Sequence, residues 1–323
     1  MHERHPCFRP ARRRRLVKPL NQSGHDRPPE VPPVKFGLAF ASSIGTNSQS
    51  ALDICRTAEA AGFDSVWGGE HVIRPDQIDS PYPYTADGEM PGDAETLIPD
   101  PLIWLAYVGA VAPTLRLGTC ILIVPQRNPL VLAKELATLD HLTDGRVELG
   151  LGVGWMREEF EALGIPWERR GARNDEYVAA MRALWAGPHA EYHGEFVDFP
   201  PATCSPRPQN GSIPILVGGD TPAAIRRAAR LADGYYPGTT DHDVLAGLIQ
   251  DVRKAAEKEQ RDPASIAIHA MFGPQMADPI AGAEQLAKLG VERVMLPAFF
   301  FAGPDGMDKL LAFGEQVVKP HSS

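Results

Sequence analysis

From residue 34 onward, short runs rich in β-branched and aromatic residues alternate with longer stretches of helical periodicity. This alternation is typical of βαβ units, in which successive strands lie parallel in one sheet. Eight runs occur, and a helical stretch follows each of them. They are residues 34–41, 63–67, 116–124, 146–150, 213–217, 234–237, 266–272 and 293–297. The sequence therefore predicts an α/β fold, a (β/α)8 TIM barrel with insertions.

Local signals mark where individual helices begin and end. Apolar residues recur at spacings of three and four from Ser50 to Ala61, and Gly62 follows as a suitable left-handed cap. Thr221 followed by Pro222 is a typical helix start. A doubly wound parallel sheet is the alternative fold, but no Gly-x-Gly-x-x-Gly sequence follows the first predicted strand. The pattern favours the barrel.

The first thirty residues differ from the rest in charge. They contain eight Lys or Arg and three acidic residues, whereas the remainder has 24 basic and 38 acidic residues. Because an acidic body repels nucleic acid, no nucleic-acid partner is expected. The run Arg12–Arg15 is either a tether to an anionic surface or part of a disordered extension, and the prolines that close the segment favour the extension. We predict a disordered basic extension over residues 1–33 and a single barrel domain over residues 34–320.

Several absences narrow the class of protein. No window holds the roughly 18 uninterrupted apolar residues of a membrane-spanning helix, and no apolar stretch follows the basic start as in a secretory signal. The four cysteines lie far apart and lack C-x-x-C spacing, which argues against a disulfide framework or a zinc site. We therefore expect a cytoplasmic protein with reduced thiols, no membrane partner and no metal site.

Residues just beyond the carboxyl ends of barrel strands gather at one rim, where barrel enzymes build active sites. Here these positions are rich in glycine and apolar residues and poor in charge. That composition suits a planar aromatic cofactor, which needs apolar walls for its ring and backbone N–H groups for its phosphate. The segment Gly218–Thr221 resembles a phosphate-binding turn at the start of a helix. A tight turn with a simple helix cap is the alternative interpretation.

The segment from Gly68 to His71 holds the best candidates for reactive groups. Histidine exchanges protons near neutral pH, the property needed when hydride transfer is accompanied by proton delivery. Because adjacent residues of an extended segment point to opposite sides, only one of Glu70 and His71 is expected to face the site. A structural role for His71 is the alternative. The long connection over residues 72–99 is predicted to be a lid over the rim, and residues 188–212 form a second long connection.

Several strings of the sequence match a known family pattern in order and spacing. They are Trp67–Val72, Ser80–Tyr84, Leu117–Leu122, Arg127–Pro129, Leu136–Asp140, Gly150–Trp155, Glu159–Gly164, Arg173–Tyr177 and Pro214–Gly219. With these strings the chain resembles the luciferase-like monooxygenase superfamily, and specifically its branch of oxidoreductases that depend on the deazaflavin coenzyme F420.

The resemblance implies a cofactor ring at the mouth of the barrel, backed by a non-prolyl cis peptide bond between Cys120 and Ile121. It also implies that His71 lies near the reactive edge of the ring. The family often has serine or glycine where this chain has Cys120. The residues implied to bind the cofactor are Thr119, Cys120, Ile121, Gly152, Gly154, Trp155, Gly218, Gly219, Asp220 and Thr221.

The activity implied by the resemblance is hydride transfer between coenzyme F420 and an unidentified small organic substrate, with His71 and Glu70 as candidate catalytic residues. One alternative is an FMN-dependent monooxygenase that uses reduced flavin and oxygen. A second alternative is a barrel that binds cofactor without turnover. We expect Tyr82, Tyr84 and Phe299 on the substrate side, with packing as the alternative role, and family members commonly form homodimers.

Overall fold

The computed structural model describes residues 33–322, which form a closed barrel of parallel strands surrounded by helices. The strands are β1 (Lys35–Ala39), β2 (Ser65–Gly68), β3 (Arg116–Thr119), β4 (Leu122–Ile123), β5 (Val147–Gly152), β6 (Ala190–His193), β7 (Asp198–Ala202), β8 (Ile215–Gly218), β9 (Gly234–Tyr236), β10 (Ala267–Met271) and β11 (Arg293–Pro297). The helices are α1 (Ser48–Ala60), α2 (Pro101–Gly109), α3 (Pro129–Leu142), α4 (Arg157–Ala162), α5 (Arg170–Ala186), α6 (Pro222–Leu231), α7 (His242–Lys258), α8 (Pro279–Lys288), α9 (Gly306–Phe313) and α10 (Lys319–His321).

The barrel closes because each strand has two parallel neighbours. Its order is β1, β2, β3, β5, β8, β9, β10 and β11, and β11 pairs with β1 from Lys35 opposite Arg293 to Ala39 opposite Pro297. The short strand β4 continues β3 and also pairs with β5. Each of the eight predicted runs overlaps one barrel strand, so the predicted TIM-barrel fold is confirmed.

Several helices begin just after a polar residue whose side chain caps the first helical turn. Thr221 Oγ accepts the backbone N–H of Ala224, and Pro222 occupies the first helical position of α6, as predicted. Gly62 follows α1 with a φ of 87°, the left-handed conformation that its sequence position predicts. The same use of a polar cap recurs at α1, α2, α3, α7 and α8, after Asn47, Asp100, Asn128, Asp241 and Asp278.

A buried ionic cluster fills the amino end of the barrel. Arg293 bonds Asp64 at 2.7 Å and Glu148 at 2.6 Å, and its guanidinium lies 5.5 Å from the centre of the Trp67 ring. Although burial alone would raise it, the pKa of Glu148 is held at about 2 by Arg293 and its neighbours. Burial, reinforced by Arg293, lowers the pKa of His269 to about 3. Charged side chains therefore fill the amino end of the barrel, and in barrels of this kind ligand sites lie at the carboxyl ends of the strands.

The two long connections differ in structure. Residues 72–99 contain turns and bends but neither helix nor strand, and they cross above the barrel mouth. Residues 188–212 contain an antiparallel hairpin of β6 and β7, in which Tyr192 pairs with Phe199. The sequence predicted only a long connection over these residues, and it did not predict the hairpin.

The predicted basic extension lies outside the described residues, apart from Pro33. Among residues 33–322, no helix is long and apolar enough to cross a membrane. In the same part of the chain, no group of three or more His, Cys, Asp or Glu residues is placed to hold a metal ion.

Candidate active site at the mouth of the barrel

The peptide bond between Cys120 and Ile121 is cis, at the position that the family resemblance implied. Thr119 is buried, and its hydroxyl donates to the carbonyl of Gly150 in β5 at 2.7 Å. The Cys120 thiol accepts the backbone N–H of Phe40 at 3.4 Å, and burial raises its pKa to about 12. A thiol with so high a pKa is a poor nucleophile near neutral pH, and Cys120 packs in an apolar cluster of the barrel.

Ile121 places its side chain against two glycines of the neighbouring strands. A Cβ atom on Gly152 would lie 2.4 Å from Ile121 Cδ1, and one on Gly218 would lie 3.0 Å from Ile121 Cγ2. Glycine at both positions therefore leaves the space that this side chain occupies between the strand tips. Beneath it is a separate apolar cluster of Ala39, Trp67, Cys120, Leu216, Tyr236 and Met295. Together they form an apolar bed of the kind that a planar ring needs.

His71, just past the end of β2, and Glu159 of α4 form a partly buried pair. His71 Nδ1 lies 3.2 Å from Glu159 Oε2, and the imidazole meets the Trp155 ring edge-on at 5.8 Å. Burial alone would raise the pKa of Glu159, but hydrogen bonding from His71 and from the Val72 backbone lowers it below its ordinary value. The carboxylate thus stays ionised and fixes the orientation of the imidazole.

Sequence reasoning missed Glu159. The acidic residues at the start of α4 have the pattern of a solvated helix face, but the side chain of Glu159 is only 1% exposed. The available signal was its place in the family string that runs from Glu159 to Gly164. Composition alone gave no reason to separate it from its neighbours Glu158 and Glu161.

The side chain of Glu70 is bound by groups of the barrel itself. Its carboxylate accepts the backbone N–H of Ile123 at 2.6 Å and pairs with Arg127, which also bonds Asp100 at 2.7 Å. Of the two candidate catalytic residues, Glu70 is thus bound by groups of the barrel itself, whereas His71 contacts Glu159 and Trp155. That only one of them serves the reaction stays a prediction.

The lid is attached on both sides of the mouth. On one side, Glu158 accepts the backbone N–H groups of Asp79 and Ser80 at 3.1 Å, and the Tyr82 ring lies 5.1 Å from Trp155. On the other side, the Tyr84 ring lies over Gly238, just past β9. The two predicted substrate-side tyrosines are thus brought to the rim.

Phe299, the third predicted substrate-side residue, lies elsewhere on the rim. It is 55% exposed and stacks on Phe40 at 5.6 Å, beyond the end of β1. The described contacts do not join it to Tyr82 or Tyr84.

The predicted phosphate turn has polar side chains that already bind within the protein. Asp220 accepts the backbone N–H of Gly238 at 2.6 Å, and Thr221 caps α6. Gly219 has a φ of 107°, a conformation that favours glycine. The side chains therefore stabilise the turn, and only the backbone and the helix start remain to meet an anion.

Arg170 is a second residue that the sequence analysis missed. Its guanidinium stacks on the Trp167 ring at 3.5 Å and donates to the carbonyl of Gly154 at 3.1 Å. Among residues 33–322 no carboxylate forms an ion pair with it, and burial, with Arg227 nearby, lowers its pKa. A half-buried cation without a counter-ion is a natural partner for an anionic group.

These features place the chain among the barrel proteins whose ligand site lies at the carboxyl ends of the strands. A sequence profile of the luciferase-like monooxygenase family matches residues 34–315. The chain belongs to this family.

Two relatives illustrate the similarity in sequence. An uncharacterised protein of Mycobacterium tuberculosis is 36% identical over 287 residues, which cover 87% of this chain and 96% of that protein. The F420-dependent glucose-6-phosphate dehydrogenase of Nakamurella multipartita is 34% identical over 238 residues, which cover 70% of this chain and 64% of that enzyme.

Two solved structures illustrate the similarity in fold. An F420-dependent secondary alcohol dehydrogenase in complex with an F420–acetone adduct has a TM-score of 0.73 at 17% identity, with coverage of 90% of this chain and 99% of that chain. The oxygenating constituent of 3,6-diketocamphane monooxygenase from Pseudomonas putida, in complex with FMN, has a TM-score of 0.64 at 16% identity, with coverage of 88% and 98%. At these identities the likeness is one of fold.

Proposed function

We propose that this protein is an oxidoreductase that transfers a hydride between coenzyme F420 and a small organic substrate at the barrel mouth. The observation that carries the proposal is the gathering of three features around the end of β5. They are the His71–Glu159 pair against Trp155, the glycines of the strand tips against Ile121, and Arg170 on the Gly154 carbonyl, without an ion-pair partner among residues 33–322. The F420-dependent relative at 34% identity supports the choice of cofactor.

The residues present fit a ring-bearing cofactor with an anionic tail. Ile121 and the apolar cluster it packs on would offer an apolar surface to the ring, and glycine at positions 152 and 218 leaves room for Ile121 there. Arg170 offers a cation to the tail, near the backbone of Gly154. Bound F420 would supply a carbon centre that carries a hydride.

The chain's own part in the reaction is proton transfer and the exclusion of water. His71 would give a proton to the substrate oxygen, or take one from it, as the hydride moves in the matching direction. Glu159 keeps the imidazole in place through its contact with Nδ1. The lid, attached through Glu158 and Tyr84, would shield the site from solvent during transfer.

An FMN-dependent monooxygenase is the second candidate, and the FMN-bound barrel of Pseudomonas putida favours keeping it. A barrel that binds cofactor without turnover is a weaker candidate, because the buried His71–Glu159 pair has the geometry of a working acid–base group.

Titration of the purified protein with F420 and, separately, with FMN distinguishes the cofactors through quenching of their fluorescence. We expect saturable, tighter binding of F420. Tighter binding of FMN would overturn the proposal and favour the monooxygenase. Binding of F420 with no turnover across a panel of alcohols and carbonyl compounds would favour the third candidate.

We also propose that the protein forms a homodimer through α2 and α3. Ile103 and Tyr107, one turn apart on α2, are 74% and 48% exposed, and Val131 on neighbouring α3 is 55% exposed. An apolar patch of this kind on two adjacent helices suits burial against a second copy of the chain.

A further inference from the structure

Two aromatic rings lie together at the carboxyl ends of β1 and β11. Phe40, directly after β1, and Phe299, two residues after β11, stack with their ring centres 5.6 Å apart and an angle of 19° between the ring planes. Phe40 is partly buried, whereas Phe299 is 55% exposed. A stacked pair with one ring open to solvent offers an apolar surface to a ligand.

The Phe40 ring is held close to the proposed reaction centre. Its backbone N–H donates to the Cys120 thiol at 3.4 Å, and its side chain packs on the apolar cluster that contains Cys120. A Cβ atom on Gly69 would lie 3.0 Å from Phe40 Cδ1, so glycine lets the ring approach the backbone two residues before His71. The aromatic pair therefore begins near the candidate proton donor and extends outward to Phe299.

The backbone of Phe40 is in the left-handed region, with a φ of 57°. A bulky residue adopts this conformation only where its surroundings impose it, and residues of this kind cluster at ligand sites. The bond from Phe40 to Cys120 and the stacking on Phe299 fix the ring in this position. The geometry is that of a rigid aromatic wall.

The rim around this pair offers no free charge to a ligand. The segments that lead from β1, β10 and β11 to the next long helix are residues 40–47, 272–278 and 298–305. They contain no Lys or Arg, and their two acidic residues are engaged, since Asp278 caps α8 and Asp305 pairs with Lys309 at 3.0 Å. Arg170 bonds the backbone just past β5, the strand opposite β11 in the barrel. A charged substrate group beside Phe299 would find no free counter-ion in these segments.

We propose that the substrate is an uncharged alcohol or carbonyl compound with an apolar ring, which packs on Phe40 and Phe299. The proposal rests on the proposed function, in which His71 exchanges a proton with the substrate oxygen. On reduction the carbonyl carbon receives the hydride of F420 and the oxygen receives the proton of His71, and oxidation of the alcohol reverses both transfers. Because His71 follows β2, which is next to β1, one small molecule can reach the imidazole and the aromatic pair together. Phe40 and Phe299 are thus specificity-determining residues.

Three ketones test the proposal, because they differ in one property at a time. Acetophenone has a ring without charge, para-acetylbenzoate has the same ring with a carboxylate, and acetone has no ring. Saturation-transfer nuclear magnetic resonance gives their dissociation constants for the protein with and without F420, so the readout does not depend on turnover. Physiological salt screens the net negative charge of the protein. We expect acetophenone to bind about 10-fold or more tightly than either of the other ketones.

Phe299→Ala removes the outer ring at an exposed position, so the fold should persist. We expect this variant to bind acetophenone about fivefold or more weakly and to bind acetone as the wild type does. Phe299→Tyr keeps the ring and should bind acetophenone like the wild type. The matched control is Leu311→Ala, at an apolar residue of α9 that is 39% exposed, and it should leave all three dissociation constants unchanged.

Several results would overturn the proposal. They are no binding of acetophenone, equal or tighter binding of para-acetylbenzoate, an unchanged affinity for acetophenone in Phe299→Ala, and an equal loss of affinity in Leu311→Ala. Failure to bind F420 would sink the proposed function, while the comparison of the ketones on the protein alone would still stand. Normal F420 binding together with a preference for the carboxylate would remove only the proposed substrate class.

Discussion

Glu159 binds the His71 imidazole at 3.2 Å with one carboxylate oxygen and the backbone N–H of Val72 at 2.7 Å with the other. A single buried side chain therefore fixes both the candidate proton donor and the first residue of the lid. Substitution of Glu159 should affect chemistry and stability, and two variants can separate these effects.

Glu159→Gln keeps an oxygen acceptor for Val72 but removes the charge that faces His71. We expect turnover to fall about 10- to 100-fold with a stability loss below about 1 kcal/mol. Glu159→Ala also leaves the backbone N–H groups of Val72 and Ile73 without their acceptor, so we expect a further loss of about 1–3 kcal/mol. Urea unfolding and steady-state assays measure the two effects. His71→Ala provides the reference and should lower turnover while leaving F420 affinity nearly intact. Full turnover in Glu159→Gln would show that the charge is not needed.

Arg170→Ala should weaken binding of F420 by about 10- to 100-fold, because a charge-assisted hydrogen bond to the anionic tail is lost. The deazariboflavin that carries the ring of F420 but no phosphate should bind to the wild-type protein and to Arg170→Ala with equal affinity. The matched control is Arg169→Ala, at an exposed arginine paired with Glu195. Fluorescence titration gives the affinities. Equal weakening for both ligands would mean that Arg170 supports the fold of the site and does not bind the tail.

Gly238→Val should open the lid. A Cβ atom on Gly238 would lie 2.2 Å from Cε1 of Tyr84, so the tyrosine ring must move. We expect cleavage within residues 72–99 by a protease to become about fivefold faster, and Tyr84→Ala to have a similar effect. The double variant should match Tyr84→Ala alone, since both changes act on one contact. Gly247→Val, where nothing lies within 4 Å, is the control. If the increases in cleavage rate caused by Gly238→Val and Tyr84→Ala add up in the double variant, the two residues do not act through one contact.

Ile103→Lys should convert the protein to a monomer in light scattering, because it places a charge in the proposed apolar interface. Ile280→Lys changes an isoleucine of α8 that is 47% exposed and should leave the assembly unchanged. A monomeric wild-type protein at micromolar concentration would contradict the proposed dimer.

His269 should make the protein less stable as the pH falls from about 6.5 toward 3. The pKa of His269 is about 3 in the folded state and near its ordinary value of 6.5 in the unfolded state. In this window the unfolded chain binds the additional proton, so the loss of stability approaches 1.4 kcal/mol per pH unit. His269→Gln should flatten this part of the profile, whereas the control His141→Gln, at an exposed histidine, should not. Urea unfolding at several pH values is the measurement, and parallel profiles for wild type and His269→Gln would contradict the prediction.

The strands of the barrel could be predicted because their apolar runs are short, regularly spaced and separated by helical periodicity. The hairpin of β6 and β7 escaped because β7 contains Pro200 and Pro201, which cannot donate to a ladder and disguise a strand. The alternation of buried and exposed residues in β7 is also incomplete, since Phe199 is the one residue of this strand that is buried.

Local periodicity and residue chemistry were enough to predict the eightfold alternation, the helix starts, the glycine-rich strand tips and a histidine just past β2. Which charged groups are buried away from water depends on the packing of distant segments. Glu159 and Arg170 lie on helices that look ordinary in sequence, and folding buries the first against His71 and leaves the second without a counter-ion among residues 33–322. Desolvation depends on what packs around a group from distant parts of the chain, and no local pattern records that.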